Sequence, residues 1–138
     1  MATIAGGAEV SYKVTGLSGA TTYKFKVKSY KKAEGETVWG EASDAHEECT
    51  NPLKVKNLRL QTKSCAVTLK WDKTSNVTGY QIYRYNSKTK KYDKIATINN
   101  NKTFSYKDSK LKKGTVSQYK VRAYKSYNGK TYVGTCSD

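Results

Sequence analysis

SYKVTGLSGATTYKFKVKSYKKAEGETVWGEASD, residues 11–44, and SYKDSKLKKGTVSQYKVRAYKSYNGKTYVGTCSD, residues 105–138, are one pattern written twice, without a gap, 94 residues apart. Ser11, Tyr12, Lys13 and Leu17 fall on Ser105, Tyr106, Lys107 and Leu111, and Val27, Tyr30 and Lys31 fall on Val121, Tyr124 and Lys125. Gly35, Thr37, Gly40, Ser43 and Asp44 match Gly129, Thr131, Gly134, Ser137 and Asp138 in the same way. A fixed period marks one structural unit used repeatedly, and this period has the length of a small domain, too long for a solenoid turn. About fifty residues precede the second copy and almost none the first, while the first runs on through Ala45–Thr50. The expected organisation is therefore the back half of one domain over residues 1–50 and a nearly complete second domain over 51–138, its last strand clipped. Asn51 and Pro52 mark the join, where the fixed φ of the only proline is tolerated.

Working outward, apolar and polar residues alternate over short stretches between turn residues, the signature of half-buried antiparallel strands. Tyr23, Phe25 and Val27 take one face and Lys24, Lys26 and Lys28 the other. Leu58 and Leu60 begin the second domain, and Cys65, Val67, Leu69 and Trp71 share an inward register, which predicts a buried free thiol at Cys65. Tyr80, Ile82 and Arg84 oppose Gln81, Tyr83 and Tyr85, so this strand has aromatic character on both sides and belongs in a sheet centre. Tyr92, Ile95 and Ile98 mark the next strand, and Phe104 with Tyr106 the one after it. Tyr119, Val121 and Ala123 precede Asn128-Gly129, a strong hairpin signal. Seven short strands in under ninety residues, with no helical periodicity, predict an all-β sandwich.

Twelve tyrosines and two tryptophans compensate for a modest apolar content and suit a thin sandwich core. No run of about eighteen apolar residues occurs, so no membrane insertion is expected. Residues 1–7 lack the regions of a signal peptide, which places any export signal upstream. Three cysteines match no zinc or redox spacing; Cys136 stands where the first copy has Ala42, and a Cys65–Cys136 bridge is left open.

Trp71 ending a strand, then Gly79-Tyr80-Gln81-Ile82-Tyr83-Arg84, Leu111 before a turn, Tyr119-Lys120-Val121-Arg122-Ala123-Tyr124 and Gly129-Lys130-Thr131-Tyr132-Val133-Gly134 together resemble a fibronectin type III domain. The style is similar to the tyrosine- and lysine-rich variety found in tandem on secreted or wall-attached proteins of Gram-positive bacteria. The resemblance covers residues 52–138 as one domain and 8–50 as the last three strands of another. It implies an immunoglobulin-like sandwich of seven antiparallel strands with Trp71 packed against Tyr80, Ile82 and Val121. It also implies a tyrosine corner, a place that Tyr23 fits in the first copy. The second copy has Ser117 there, and its Tyr119, two residues later, reads as core.

The chemistry for catalysis is thin. His46, the only histidine, sits beside Glu47 and Glu48 at an expected exposed strand end, where a solvated side chain is the simpler reading than a general base. Asp72, Asp93, Asp108 and Asp138 are scattered among expected turns, so no metal site, catalytic group or cofactor is expected. Asn76-Val77-Thr78 and Asn101-Lys102-Thr103 match the glycosylation pattern and read equally as turns. The Arg-Gly-Asp of integrin-type adhesion is absent.

Charge is unevenly divided. Residues 1–50 hold six lysines against seven acids, net −1, and residues 51–138 hold twenty lysines and arginines against four acids, net +16. Such a field attracts polyanions, although a lysine-coated surface also serves solubility and discourages edge pairing. The candidate binding surface is Tyr83, Tyr85, Tyr127 and Tyr132 with Lys88, Lys90, Lys91, Lys125 and Lys130, since aromatic faces with cations hold sugars, bases and anionic groups. Cross-strand tyrosines that merely stabilise the sheet are the competing account. The expected function is a non-catalytic module of an extracellular or wall-attached bacterial protein: a spacer, scaffold or interaction domain. Its expected partners are other domains of the same polypeptide and a cell-surface protein or anionic polysaccharide. A basic module docking wall polymer, acidic glycan or nucleic acid is the alternative. Three strands cannot close a sandwich, so residues 1–50 are expected to leave open edges and an apolar face, inviting a strand-exchanged homodimer.

Overall fold

The computed structural model describes residues 2–5, 7, 11–109 and 111–138. Ala8, Glu9 and Val10, the start of the expected first unit, lie outside the described residues. The fold is all-β, and among the described residues no helix is long and apolar enough to cross a membrane. The chain opens with β1 (Thr22–Phe25), β2 (Lys28–Ala33), β3 (Glu36–Ala42) and β4 (His46–Cys49). β1 pairs with β4 and β2 with β3, both antiparallel, which makes one long hairpin broken in the middle. The lysine-bearing alternation read from the sequence survives in it, with Tyr23 and Phe25 half-buried and 6.3 Å apart between ring centroids.

Seven further strands follow: β5 (Arg59–Lys63), β6 (Ala66–Lys70), β7 (Gly79–Asn86), β8 (Lys91–Ile98), β9 (Ser105–Asp108), β10 (Tyr119–Tyr127) and β11 (Lys130–Val133). They form two antiparallel sheets, β5-β6-β9 and β11-β10-β7-β8. β7 has neighbours on both sides, as its two-sided aromatic character requires.

Each sheet buries every second side chain against the other. β6 supplies Val67 and Leu69, and Trp71 follows; β7 supplies Tyr80 and Ile82, and β10 supplies Tyr119, Val121 and Ala123. Trp71 meets Tyr80 edge-on at 5.3 Å, and Tyr80 meets Phe104 at 6.3 Å, geometries that aromatic quadrupoles favour. The Tyr80 hydroxyl accepts the Thr74 amide proton at 3.0 Å, which ties the chain after β6 to the core. Burying an aromatic of this size contributes roughly 1.5–3 kcal/mol or more by area.

The two copies show the same local geometry. In each, a serine amide donates to a valine carbonyl at 2.8 Å while the serine hydroxyl accepts that valine's amide at 3.0 Å, Ser43 on Val27 and Ser137 on Val121. Their surroundings differ. Val121 is wholly buried beneath β5-β6-β9, whereas Val27 is 73% exposed, together with Val38 and Trp39. The turns agree as well: Asn128 and Gly129 both have positive φ, as do Glu34 and Gly35, which matches the right-handed strand twist of a tight hairpin.

One expectation is corrected, and three details are added to the others. Cys65 is not buried: the chain reverses at Ser64 and Cys65, β6 starts at Ala66, and the thiol is exposed although it shares the parity of Val67. All three cysteines are free thiols, Cys65 and Cys136 included. Ser11–Lys13 forms no strand although Ser105–Asp108 does, because β9 pairs with β6 and no described residues offer Ser11–Lys13 such a neighbour. The first unit, expected as three strands, shows four short ones among its described residues. Leu60 lies in register with Leu69 but on the edge strand β5, and is 47% exposed.

Leu69 and Leu60 make a direct test. Leu69→Ala should cost about 2–5 kcal/mol of unfolding free energy, as large-to-small changes in a closed core do. Leu60→Ala should stay within about 0.5–1 kcal/mol, the range of exposed positions. Urea denaturation of both variants measures the contrast, and equal losses would refute the assigned core.

Candidate functional site

The residues that the core does not use build the outer face of the four-stranded sheet. Register puts Arg122, Gln81 and Thr97 in one row across β10, β7 and β8, and Lys120, Tyr83 and Lys94 in the next. Tyr85 and Tyr92 form a third row, with Gln118 reached by a 2.9 Å bond from the Tyr85 amide to its carbonyl. These side chains interlock. The Arg122 guanidinium lies 5.1 Å over the Tyr83 ring while its Nε–H donates to Gln81 Oε1 at 2.8 Å. The Tyr83 hydroxyl donates to the same oxygen at 2.9 Å. Lys120 Nζ lies 4.7 Å over Tyr92, whose ring meets Tyr85 edge-on at 5.3 Å and whose hydroxyl donates to Gln118 at 3.0 Å. No carboxylate stands in these three rows.

The sequence-predicted surface residues divide. Tyr83 and Tyr85 lie on this face. Lys88 and Lys90 are exposed in the β7–β8 turn, and Lys91 is exposed at the start of β8. Lys125 is half-buried opposite Tyr132. Tyr127, Tyr132 and Lys130 lie on the β10–β11 hairpin and turn toward the first unit. The Tyr127 hydroxyl donates to Glu47 and the Tyr132 hydroxyl to Glu48, while Lys130 Nζ stands 3.4 Å from Glu48 and 4.9 Å over the Tyr132 ring. Lys24 reaches Glu47 at 3.1 Å from its other side.

Further contacts continue this joint. Ala20 belongs to the same buried cluster as Trp71 and Val121, and Asn76 Nδ2 donates to Thr21 Oγ1 at 3.3 Å. Pro52 is buried at the join. A Cβ at Gly19 would stand 3.0 Å from the Leu53 nitrogen and 3.1 Å from the Asn51 carbonyl oxygen, so glycine is what allows the two units' backbones to meet, and within the second unit a Cβ at Gly134 would stand 2.7 Å from the Pro52 carbonyl oxygen. Within the second unit, Lys54 holds Asp138 at 2.5 Å and lowers its pKa.

Inside the sandwich, Asp108 is buried and accepts from Arg84 Nη1 at 2.8 Å and from the Tyr119 hydroxyl at 3.0 Å. Burial, then Asp108, raises the Tyr119 pKa. Sequence reading treated Asp108 as a turn acid, yet it shares the inward parity of Phe104 and Tyr106, as Arg84 shares that of Ile82. Two opposite charges at inward positions were the available signal. Asp72 pairs with Arg59 at 3.3 Å, and Asp93 accepts from Asn86 at 2.7 Å. Among the described residues no three His, Cys, Asp or Glu side chains converge to hold a metal. His46 is exposed in β4. Tyr23 is half-buried and its hydroxyl accepts the Ser18 amide proton at 2.8 Å, a corner bond back to the chain.

No family model matches the sequence, and comparison with curated proteins likewise gives no significant match. Solved structures do match. The FN1–FN3 domains of chicken CNTN1 align with 92% of this chain at a TM-score of 0.53 and 18% identity, and this chain spans 44% of that one. The fold is that of fibronectin type III domains. A structure titled FN3tt mut aligns with 64% of this chain and 91% of its own at TM-score 0.49 and 16% identity. A Fn3-like protein from Clostridium thermocellum aligns with 62% and 84% at TM-score 0.45 and 23% identity. The fibronectin type III sheets here are β5-β6-β9 and β11-β10-β7-β8, with Trp71 between them.

The joint carries a pH dependence. Glu48 is held below the ordinary glutamate range by the Tyr132 hydroxyl first, then by the Cys49 amide and the Lys130 charge. Its contribution is complete above the ordinary glutamate value, about 4.3, and is lost as pH falls through the lower folded value. Lys130 is raised, by Tyr132 first and then by Glu48, and Tyr132 is raised by Glu48, so their contributions fade only as pH climbs through those raised values. Protection of the Cys49 and β11 amides from hydrogen exchange, taken relative to core amides at the same pH, should therefore hold from about pH 5 to 9 and fall on acidification. Glu48→Gln should remove that acid response, and an unchanged response in this variant would refute the assignment.

Proposed function

We propose that the chain is a stretch of tandem, non-catalytic fibronectin type III modules from an exported, surface-attached bacterial protein, with residues 1–50 ending one module and 51–138 forming the next. Its work is mechanical: it spaces and presents neighbouring domains of the same polypeptide at the cell surface. The observation that carries this reading is the joint. Glu47 and Glu48 are held by Tyr127, Lys130 and Tyr132, Ala20 enters the second unit's core, and Gly19 lies against the backbone of Asn51 and Leu53. A flexible tether needs none of these contacts, whereas a stiff spacer needs all of them. The exposed Val27, Val38 and Trp39 support pairing of the first unit with a second copy, strand exchange included.

Small-angle scattering with light scattering tests both parts. One narrow conformer is expected, broadened in a Glu47→Ala/Glu48→Ala variant, with a mass that rises toward a dimer with concentration. A wild-type chain that flexes as freely as the variant would count against the spacer, and a strict monomer against pairing.

A second reading has its own observation. The net charge of +16 on residues 51–138, beside three rows of β7, β8 and β10 whose strand positions hold no carboxylate, supports docking of a polyanion. Affinity for an anionic polymer should then fall steeply with salt as counterions are no longer released. Binding that is indifferent to ionic strength between 50 and 200 mM, roughly the range over which such contacts respond, would remove this reading.

A further inference from the structure

We infer that the outer face of β7, β8 and β10 is a docking surface for an acidic polysaccharide, a chain of hydroxyl-rich rings bearing carboxylates or other anionic groups. The inference rests on the polyanion reading and gives it a place and a ligand class. Lys94 and Lys120 stand on either side of Tyr83, and Arg122 neighbours Lys120 two residues along the same strand. With strands about 4.8 Å apart, the two lysines flank the ring at roughly 10 Å from each other. Like charges gathered on one sheet face repel and are stabilised by an anion laid across them. The carboxylates of this unit are committed elsewhere: Asp72 to Arg59, Asp93 to Asn86, Asp108 to Arg84 and Asp138 to Lys54. Asp138 feels the Lys120 charge, but its bonded partner is Lys54.

Preorganisation supports the assignment. Stacking on Tyr83 and Tyr92 holds the Arg122 and Lys120 heads in place, and a stacked guanidinium with one donor on Gln81 keeps further N–H groups in its plane for an incoming oxyanion. The same stacking decides between ligand classes. Sequence-tolerant binding of single-stranded nucleic acid uses aromatic faces that bases can cover. Here a cation already lies over the Tyr83 and Tyr92 rings, and both hydroxyls are bonded to glutamines, so the face offers fixed charges and polar groups rather than an open stacking platform.

The test uses the full chain with polygalacturonate, its fully methyl-esterified form and an oligo-dT strand, at 50 mM salt, roughly where such contacts are strong. Two triple variants are compared, Lys94→Gln/Lys120→Gln/Arg122→Gln on the face and Lys63→Gln/Lys102→Gln/Lys107→Gln away from it. Polygalacturonate should bind and its ester should not. The face variant should bind about tenfold more weakly, the product of three exposed ion contacts of ordinary strength, and the distant variant nearly as wild type. Amide-shift mapping on the wild-type chain, which needs no variant, should place the perturbations on β7, β8 and β10. Equal losses in both triples, or shifts spread over both sheets, would overturn the location while leaving the polyanion reading intact. Tighter binding of oligo-dT would overturn the ligand class. No binding of either anionic probe would overturn the inference and the reading beneath it together.

Discussion

A β-strand can give only alternate side chains to a core, and that constraint governs this molecule. β10 spends Tyr119, Val121 and Ala123 on the space between the sheets, and β7 spends Tyr80 and Ile82. Whatever lies between them must face outward, so Lys120, Arg122, Gln81 and Tyr83 become a surface by the same rule that makes their neighbours a core. The aromatic wedge of Trp71 on Tyr80 holds the two layers together, and the charged exterior is arranged on a frame that this contact keeps rigid.

Period and repeat made most of the frame legible. Leu69, Trp71, Tyr80, Ile82 and Val121 follow from alternation alone, and the comparison of residues 11–44 with 105–138 predicts two like hairpins, to which the structure adds a shared serine clamp. Legibility failed where alternation is interrupted. Cys65 carries the right parity but sits where the chain reverses. The β7–β8 register slips between Ile82 and Tyr83, so Ile82 faces Ala96, Tyr83 faces Lys94, and Ile95 of β8 is the extra residue of a bulge; hence the spacing of three among Tyr92, Ile95 and Ile98. The joint was hidden for another reason. Tyr127 and Tyr132 resemble free surface aromatics until Glu47 and Glu48, some eighty residues earlier, are placed beside them.

The division of charge gains a structural meaning from that placement. The first unit is close to neutral, yet two of its seven acids meet the strongly basic second unit at the point of contact. Attraction between units is thus concentrated at the joint, while the cations on the outer sheet face remain uncommitted to it. Asp108 shows the complementary economy: a buried carboxylate matched by Arg84 and Tyr119 fixes β9 against β7 and β10 without adding to the exterior field. Such a pair defines a register more than it adds stability.

The close approach of Gly19 to the backbone of Asn51 and Leu53 has a geometric corollary. Where backbone meets backbone with no side chain between, the angle from one unit to the next has little room to vary. Successive copies joined this way would each be turned by the same amount, so that equivalent sheet faces wind around the long axis as a helical stripe. A straight polymer running alongside such an array would touch the faces only at regular intervals, and the pitch of that stripe would select ligands by their length and stiffness as much as by their chemistry.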